Sequence, residues 1–369
     1  MTPAIDRLMA DTAAFQFDGA HDELFLEAMQ EAWAHHAERC PEYRTLCEQR
    51  GFDVTRLTDA SDIPWLFVPV LKRYTLVSAP PEAIELTLTS SGTSGEKSAI
   101  YLDHVTLDRI RGIVFNIYRA YDMVRTELTN YLCFTYDPEV AQDVGTAWSD
   151  KLLTGLATAA EIFYAIQQQD GDWHLDKAAC WEALERFQKS GRPLRILGFP
   201  SFTYEVIGEY VRDTGRHFNF GQDSWIITGG GWKTLADKEI PRPEFKRLVG
   251  EWLGMPPDHV RDLYGMVEHG VPYCECEAGR LHVPIYSRAW ARDPGTLQVL
   301  PAGQQGLLHF ATPYLNSFPA ISLLTTDLGR VEGGCPCGRS APTVTIDGRA
   351  GQWPHKGCAL AALDILESV

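Results

Sequence analysis

The alternation of short apolar strands with amphipathic helices is the feature that most constrains the fold of this chain. Strand-like runs rich in apolar and β-branched residues occur at 84–89, 131–136, 194–199 and 225–228. Stretches with apolar residues every three or four positions, typical of helices, occur at 22–50, 104–121, 177–189, 202–213 and 243–253. This alternation predicts an α/β architecture, in which helices cover the faces of a sheet.

The pattern changes near residue 282, after which short strands and turns follow one another, as at 305–312 and 343–347. A β-rich subdomain is therefore expected to follow the α/β body. The predicted organisation has four parts: an N-terminal helical segment at 1–80, the α/β body at 81–280, the β-rich subdomain at 281–347 and a C-terminal tail at 348–369.

The charge of the chain narrows its expected partners. The 369 residues include 33 Lys and Arg against 49 Asp and Glu, which gives a formal net charge of −16. Such a surface repels phosphate backbones and anionic lipid, so neither nucleic acid nor a membrane surface is an expected partner. No run reaches the roughly 18–20 apolar residues of a membrane span. Asp6 and Asp11 precede any apolar stretch, which argues against a signal peptide and favours a cytoplasmic protein.

A loop rich in serine, threonine and glycine joins the strand-like run 84–89 to the helix-like stretch 104–121. Its hydroxyls, glycines and lysine are groups that suit phosphate oxygens: Ser90, Ser91, Gly92, Thr93, Ser94, Gly95 and Lys97. The loop is not a Walker motif, because Glu96 stands where that motif has glycine. A flexible turn is the alternative, but the position between a strand and a helix favours anion binding.

Three glycines follow the strand-like run 225–228, namely Gly229, Gly230 and Gly231. Glycines at the carboxyl end of a strand fit the ligand crevice of an α/β sheet, because the backbone there can approach a ligand closely. A tight turn from strand to helix explains the same run equally well.

A ring and a carboxylate stand close together in the segment Tyr264-Gly265-Met-Val-Glu268. The ring would stack on a base, while the carboxylate would hold Mg²⁺, a cation that favours oxygen ligands. An ordinary turn is the alternative for this segment. Further along the chain, Asp327 would present a carboxylate to ribose hydroxyls.

The order and spacing of these four motifs resemble the adenylate-forming superfamily of acyl-CoA synthetases, luciferases and adenylation domains. The resemblance implies that the Ser/Thr/Gly-Lys loop holds the phosphates of ATP. It also implies that Tyr264 stacks on adenine, Glu268 holds Mg²⁺ and Asp327 binds ribose. Gly348-Arg349 matches the hinge after which those enzymes place a mobile C-terminal domain.

The sequence departs from that superfamily at two points. Val267 replaces the usual hydroxyl residue before the glutamate, and only twenty residues follow Arg349. The domain that carries the usual adenylation lysine is therefore expected to be absent. Because negative charge gathers at the α-phosphate, another cation is needed, and Lys97, Lys233 and Lys356 are the candidates. Each is equally explained as a solvated surface charge.

A narrower resemblance, to the acyl-protein synthetase family, rests on five segments. They are Gly-Gly-Gly-Trp-Lys at 229–233, Tyr-Gly-Met-Val-Glu-His-Gly-Val-Pro-Tyr at 264–273, Leu-His-Val-Pro at 281–284, Gly-Arg-Ala-Gly at 348–351 and Gly-Cys-Ala-Leu-Ala-Ala at 357–362. The namesake of the family is the fatty-acid-activating subunit of the bacterial luminescence fatty acid reductase. The resemblance implies that ATP and a fatty or related carboxylic acid give an acyl-adenylate. The acyl group then passes to a cysteine near the C-terminus and on to a partner, such as an acyl-CoA-reductase-like protein or an acyl carrier.

Cys358 matches the cysteine that receives the acyl group in this family. His355 and Lys356 lie just before it, and Cys358 stands where a helix would begin. Cationic neighbours and a helix N-terminus both favour the thiolate, the nucleophilic form of cysteine. A small buried hydrophobic residue on a tail helix is the alternative.

Two further residues, Phe199 and His269, are candidates for the substrate pocket, although plain core packing explains either. Two other functions stay open. In the first, the chain transfers the acyl group to coenzyme A or to a carrier-protein thiol, as the related phenylacetate-CoA ligases do. In the second, it is a non-catalytic nucleotide-binding subunit.

The residue types of a structural zinc site occur in Cys276, His282, Cys335 and Cys337. Cys274-Glu-Cys276 and Cys335-Pro-Cys337 have one residue between the cysteines, which is tighter than the usual spacing of zinc ligands. Only one sulfur of the first pair is therefore assigned to the metal. Reduced, packed thiols are the alternative.

Overall fold

The computed structural model of the chain describes residues 2–89, 99–137, 151–169, 172–232 and 238–350. These residues form two compact units. The first comprises the residues up to Ile117, the segment Met266–Tyr273 and the described residues from Arg280 onward. The second comprises Tyr118–Gly265 and Cys274–Gly279.

Three helices open the first unit: α1 (Ala4–Ala10), α2 (Gly19–Arg39) and α3 (Pro41–Gln49). The Asp18 carboxylate caps α2 by accepting the backbone N–H of His21. The predicted helical stretch 22–50 is in fact two helices, because Pro41 forces Cys40 into an extended conformation and cannot donate a helical hydrogen bond.

A six-stranded sheet forms the body of the first unit. Its strands are β1 (Leu66–Phe67), β11 (Leu281–His282), β12 (Arg288–Arg292), β13 (Gly306–Ala311), β14 (Ser322–Glu332) and β15 (Thr343–Arg349), in the order β11-β15-β14-β13-β12 with β1 parallel to β14. Every residue of β13 is buried, because strands flank it on both sides and packing covers its faces. A separate hairpin, β2 (Ile84–Thr89) and β3 (Ala99–Asp103), leads into helix α4 (His104–Ala120).

A seven-stranded sheet dominates the second unit. It contains β4 (Leu128–Tyr136), β5 (Thr158–Gln169), β6 (Asp172–Leu175), β7 (Leu194–Gly198), β8 (Trp225–Gly229), β9 (Val260–Tyr264) and β10 (Tyr273–Cys274), in the order β10-β9-β8-β7-β4-β5-β6. The pairs β9–β8, β8–β7, β7–β4 and β4–β5 are parallel, whereas β6 is antiparallel to β5.

Helices α5 (Lys177–Ser190), α6 (Pro200–Thr214) and α7 (Arg242–Leu253) cluster with the strands of this sheet in one hydrophobic core. Ile196 and Ile226 of the strands and Leu184, Ile207 and Val249 of the helices are fully buried there. Each such side chain stabilises the fold by roughly 1.5–3 kcal/mol through removal of apolar surface from water.

The α/β prediction is confirmed, and the predicted strands correspond to β2, β4, β7 and β8. The predicted runs 305–312 and 343–347 correspond to β13 and β15. The sequence pattern missed β5, β9 and β14. Among the described residues, no helix combines the length and apolarity that crossing a bilayer would require.

Candidate functional site

The carboxyl ends of β7, β8 and β9 lie level with one another. In the parallel ladders Gly198 is opposite Thr228, and Thr228 is opposite Asp262. The chain runs from β4 to β5 on one side and returns to β7 on the other, so the topological switch point lies between β4 and β7. Ligands of open α/β sheets bind outside the strand ends at such a point. Phe199 directly follows β7 there, as its predicted pocket role requires.

The glycine run ends β8 with a turn that only glycine adopts easily. Gly230 and Gly231 have φ values of +75° and +69°, in the left-handed region that disfavours residues with a Cβ. A Cβ at Gly229 would stand 3.0 Å from the carbonyl oxygen of Leu263 on the adjacent strand. The turn therefore places backbone without side chains at the carboxyl edge of the sheet.

A network of buried charges lies beneath this turn. The Thr228 hydroxyl donates to the Asp262 carboxylate at 3.2 Å and accepts from the Arg242 guanidinium at 3.2 Å. Arg242 donates to the Glu275 carboxylate at 3.1 Å, and the ammonium of Lys246 lies 2.8 Å from the same oxygen. This network ties the ends of β8 and β9 to α7.

The two carboxylates of the network have opposite pKa shifts. Burial raises the pKa of Asp262. Burial would also raise the pKa of Glu275, but Arg242 and Lys246 together outweigh it and the pKa is lowered. Sequence analysis missed these residues. The strand of Asp262, Val-Arg-Asp-Leu-Tyr at 260–264, has no regular alternation of apolar and polar residues that would have predicted it.

Tyr264 is the last residue of β9, and Gly265 follows it directly in the chain. In the first unit, the backbone N–H groups of His269 and Gly270 both donate to the carbonyl oxygen of Met266, and this bond pattern defines a tight turn. Glu268 lies within that turn and is only 6% exposed. Carboxylate oxygen is the type of ligand that Mg²⁺ favours.

The His269 ring is fully buried beside an aromatic cluster. Its Nε2 is 2.7 Å from the Tyr273 hydroxyl, which in turn is 2.6 Å from the Ser287 hydroxyl. The ring stacks on Tyr273 with an interplanar angle of 7°, and Phe310 packs 5.3 Å away. Burial lowers the pKa of His269 to about 3, so the ring is neutral at physiological pH.

Asp327 and Arg349 meet across the β14–β15 ladder, in which they are direct partners. The Arg349 Nε donates to the Asp327 carboxylate at 3.2 Å. The predicted ribose carboxylate and the predicted hinge arginine, assigned separately from the sequence, are thus one ion pair.

Several sequence-predicted residues lie outside the described residues, so their placement stays a prediction. They are Ser90, Ser91, Gly92, Thr93, Ser94, Gly95, Lys97, Lys233, Lys356 and Cys358. The part of the predicted C-terminal tail beyond residue 350 also lies outside them.

The predicted zinc ligands are divided between the two units. Cys276 lies in the second unit, whereas His282, Cys335 and Cys337 lie in the first. Within the first unit, the His282 Nε2 and the Cys337 Sγ are 3.2 Å apart. The zinc site stays a prediction.

Comparison with known proteins gives consistent matches along the chain. The sequence profile of the family described as "Acyl-protein synthetase, LuxE" matches residues 1–366. A long-chain-fatty-acid–luciferin-component ligase of Vibrio harveyi is 31% identical over 336 residues, which cover 89% of this chain and 85% of that protein. The ligase of the same description from Aliivibrio fischeri is 28% identical over 342 residues, covering 92% and 88% of the two chains.

A solved structure shares the fold at low sequence identity. The crystal structure of 2-hydroxyisobutyryl-CoA ligase in an open conformation, with 2-HIB-AMP and CoA, matches with a TM-score of 0.72 and 18% identity. The match covers 91% of this chain and 76% of that one. It confirms the predicted adenylate-forming fold.

Proposed function

The chain belongs to the acyl-protein synthetase family LuxE, and from this premise we propose that it activates a fatty acid with ATP and loads the acyl group onto its own Cys358. The chain is an acid ligase, as its family and named relatives are. The fatty substrate is inferred from the V. harveyi and A. fischeri relatives, whose names specify a long-chain fatty acid. An acyl reductase or acyl carrier would be the partner that takes the acyl group.

One observation carries the proposal: the family match is continuous over residues 1–366, so it includes every nucleotide motif and Cys358. The level strand ends, the left-handed glycine turn and the buried Glu268 support it from the structure. Each is the local geometry that nucleotide binding at the end of a parallel sheet needs.

We assign the nucleotide contacts as follows. The Ser90–Gly95 loop and Lys97 hold the phosphates, while Gly229, Gly230 and Gly231 border the adenine and Tyr264 stacks on it. Asp327 binds the ribose, and Arg349 orients its carboxylate through their ion pair. Glu268 holds Mg²⁺, which when bound offsets the negative charge of the phosphates. Phe199 and His269 line the acid pocket.

The reaction then has two steps. A carboxylate oxygen of the acid attacks the α-phosphorus of ATP, the bond to the bridging oxygen breaks, and pyrophosphate leaves. The Cys358 thiolate then attacks the acyl carbon, and the bond to AMP breaks as the thioester forms. Lys97, Lys233 and Lys356 are the cations available to offset charge at the α-phosphate.

Intact-mass spectrometry of the purified chain tests the proposal. The protein is incubated with Mg²⁺-ATP and a panel of fatty and aromatic acids, and pyrophosphate release is followed in parallel. We expect an acyl adduct that hydroxylamine removes, on wild type and not on Cys358→Ala. Cys180→Ala is the matched control, because burial raises the pKa of the Cys180 thiol to about 12 and keeps it protonated.

The other outcomes are equally informative. Pyrophosphate release without an adduct would overturn the self-acylation step and favour transfer to coenzyme A or a carrier-protein thiol. An adduct that persists in Cys358→Ala would move the acceptor to another residue. ATP binding without acid-dependent pyrophosphate release, with any acid of the panel, would overturn the catalytic assignment.

A further inference from the structure

An open cavity of about 490 Å³ lies in the first unit, between residues 50–65 and residues 292–298. Every residue that lines it belongs to this unit. No described residue that we assign to the reaction is among them. Its volume is within the roughly 300–1,000 Å³ that is usual for small-molecule sites. The cavity is therefore large enough for a ligand of its own.

Arg292, the last residue of β12, lines this cavity and has no carboxylate partner among the described residues. The residue is only 8% exposed. Its Nε donates to the Nδ1 of His309 at 3.0 Å, and its two terminal nitrogens donate to the carbonyl oxygens of Leu297 and Ser61. A guanidinium has five N–H groups, so two remain for a ligand.

The acceptors that orient Arg292 carry no charge. Since His309 accepts on Nδ1, the proton of its neutral ring is on Nε2, which is 2.8 Å from the Ser322 hydroxyl. Burial, together with the positive charge of Arg292, holds the pKa of His309 well below its ordinary value, so the ring stays neutral. The guanidinium is therefore fixed in direction while its positive charge is not neutralised by these contacts.

A second guanidinium, that of Arg50, lines the same cavity. Its Cζ is 4.3 Å from the centroid of the Trp65 ring, and its Nη1 donates to the Trp65 carbonyl oxygen at 2.9 Å. Burial lowers the pKa of Arg292, and repulsion from Arg50 lowers it further. Because other contacts hold these two cations near each other, an anion that binds both is favoured.

Two carboxylates also line the cavity, but they do not balance both guanidiniums. Asp53 pairs with Arg56 at 3.3 Å, and both of these residues are exposed. Asp62 is exposed as well, and its attraction for Arg292 is outweighed by the effect of burial on the pKa of that group. Among the lining residues, Asp62 thus opposes Arg50 and Arg292, which leaves an excess of one positive charge.

Most of the remaining lining is apolar. Two of its side chains are buried and three are partly buried: Leu57 and Ile63, and then Phe52, Trp65 and Leu297. Contact with such side chains stabilises a ligand only if the ligand removes apolar surface of its own from water. A hydrated inorganic ion has no such surface. The ligand therefore needs an apolar body as well as a negative charge.

We propose that this cavity binds an organic monocarboxylate. The ligand carboxylate accepts hydrogen bonds from Arg50 and Arg292, and the apolar body packs against Trp65 and its apolar neighbours. Guanidinium N–H groups match the two oxygens of a carboxylate in spacing and direction. A phosphate dianion fits less well, because it would turn the excess of one positive charge into a net negative charge. Binding is non-covalent and does not depend on the acyl transfer.

Calorimetric titration of the full chain with 4-bromobenzoate, without ATP, tests the proposal. We expect wild type to bind it at least about tenfold more tightly than neutral 4-bromobenzamide or inorganic phosphate. Arg50→Gln should weaken binding by about 10–100-fold, because a hydrogen bond between two charged groups is lost. Arg44→Gln, at an exposed position of α3, is the matched control and should keep wild-type affinity. Pyrophosphate release should be unchanged in both variants.

Crystallography of wild type with 4-bromobenzoate makes the test independent of whether a variant folds. The anomalous signal of bromine should lie in this cavity, with the carboxylate within hydrogen-bond distance of Arg50 and Arg292. Bromine at the proposed acid pocket alone, or no binding at all, would overturn the proposal. So would an unchanged affinity in Arg50→Gln, or equal binding of the neutral amide or of phosphate.

Discussion

Two buried histidines of the first unit, His269 in a turn and His282 in β11, differ in what their ring nitrogens contact. His269 has Nε2 on the Tyr273 hydroxyl, while its Nδ1 has no hydrogen-bond partner among the described residues. In His282 a backbone carbonyl holds Nδ1, and Nε2 faces a sulfur. Burial is the same in both, so burial alone does not identify a ligand. The outer partner of the ring distinguishes the two.

The comparison also separates two kinds of role. The turn at 266–270 places Glu268 beside His269, and we assign it to the reaction. The contacts of His282 with the Ala341 carbonyl and the Cys337 sulfur lie within the first unit, and we assign them to stability. Changes in the turn at 266–270 should alter turnover, whereas changes at His282 should alter stability.

The largest effect is expected from Glu268→Gln. Because the amide has lost the charge that would hold Mg²⁺, acid-dependent pyrophosphate release should fall by about 10³-fold. Glu244→Gln, on the exposed first turn of α7, is the control and should keep wild-type turnover. An active Glu268→Gln would remove the turn from the reaction and erase the contrast between the two histidines.

A smaller effect is expected from His269→Gln on the pH dependence of stability. The folded pKa of His269 is about 3, below the ordinary histidine value of 6.5, so between these values the unfolded chain binds a proton that the native state does not. Stability attributable to this site is therefore present above pH 6.5 and is lost as the pH falls, at about 1.4 kcal/mol per pH unit.

The variant tests this sign directly. Between pH 6.5 and pH 5, His269→Gln should flatten the fall in unfolding free energy by about 2 kcal/mol in total. His217→Gln, at an exposed position, is the control and should keep the wild-type slope. An unchanged slope in His269→Gln would mean that the ring is hydrated or charged in the native state.

The smallest effect is expected from Arg349→Gln. The pair with Asp327 is partly exposed, so its loss should cost at most about 1 kcal/mol and raise KM for ATP by no more than about fivefold. Arg330→Gln is a closely matched control, because Arg330 and Asp347 form a neighbouring ion pair at 3.4 Å between the same strands. Equal KM values in both variants would remove Arg349 from the nucleotide site.

The fold was predictable where buried strands are uniformly apolar, as in β7 and β8. It was not predictable at β9, which lies between β8 and β10 yet carries Arg261 and Asp262. Their side chains are satisfied by distant partners: the Arg261 guanidinium donates to the Glu275 carbonyl oxygen at 2.8 Å, and the Asp262 carboxylate accepts from the Thr228 hydroxyl at 3.2 Å. A hydrophobicity pattern cannot anticipate such long-range partners.

Some features of the candidate site could likewise be predicted from the sequence, and others could not. The zinc residues were predicted because cysteine and histidine are rare and chemically specific, and that assignment stays a prediction. The meeting of Asp327 with Arg349 was not, because it depends on the register of β14 and β15 and on a bulge at Leu328 and Gly329. Register shifts of this kind leave little trace in composition or spacing.

The level strand ends of the second unit have a consequence for evolvability. The side chains that hold the sheet together, such as Ile196 and Ile226, lie within the strands, whereas Phe199 and Gly231 lie beyond them. The sequences of the connections after β7 and β8 can therefore change in evolution while the residues within the strands stay the same. Grafting those connections between relatives is a direct way to transplant ligand preference without redesigning the core.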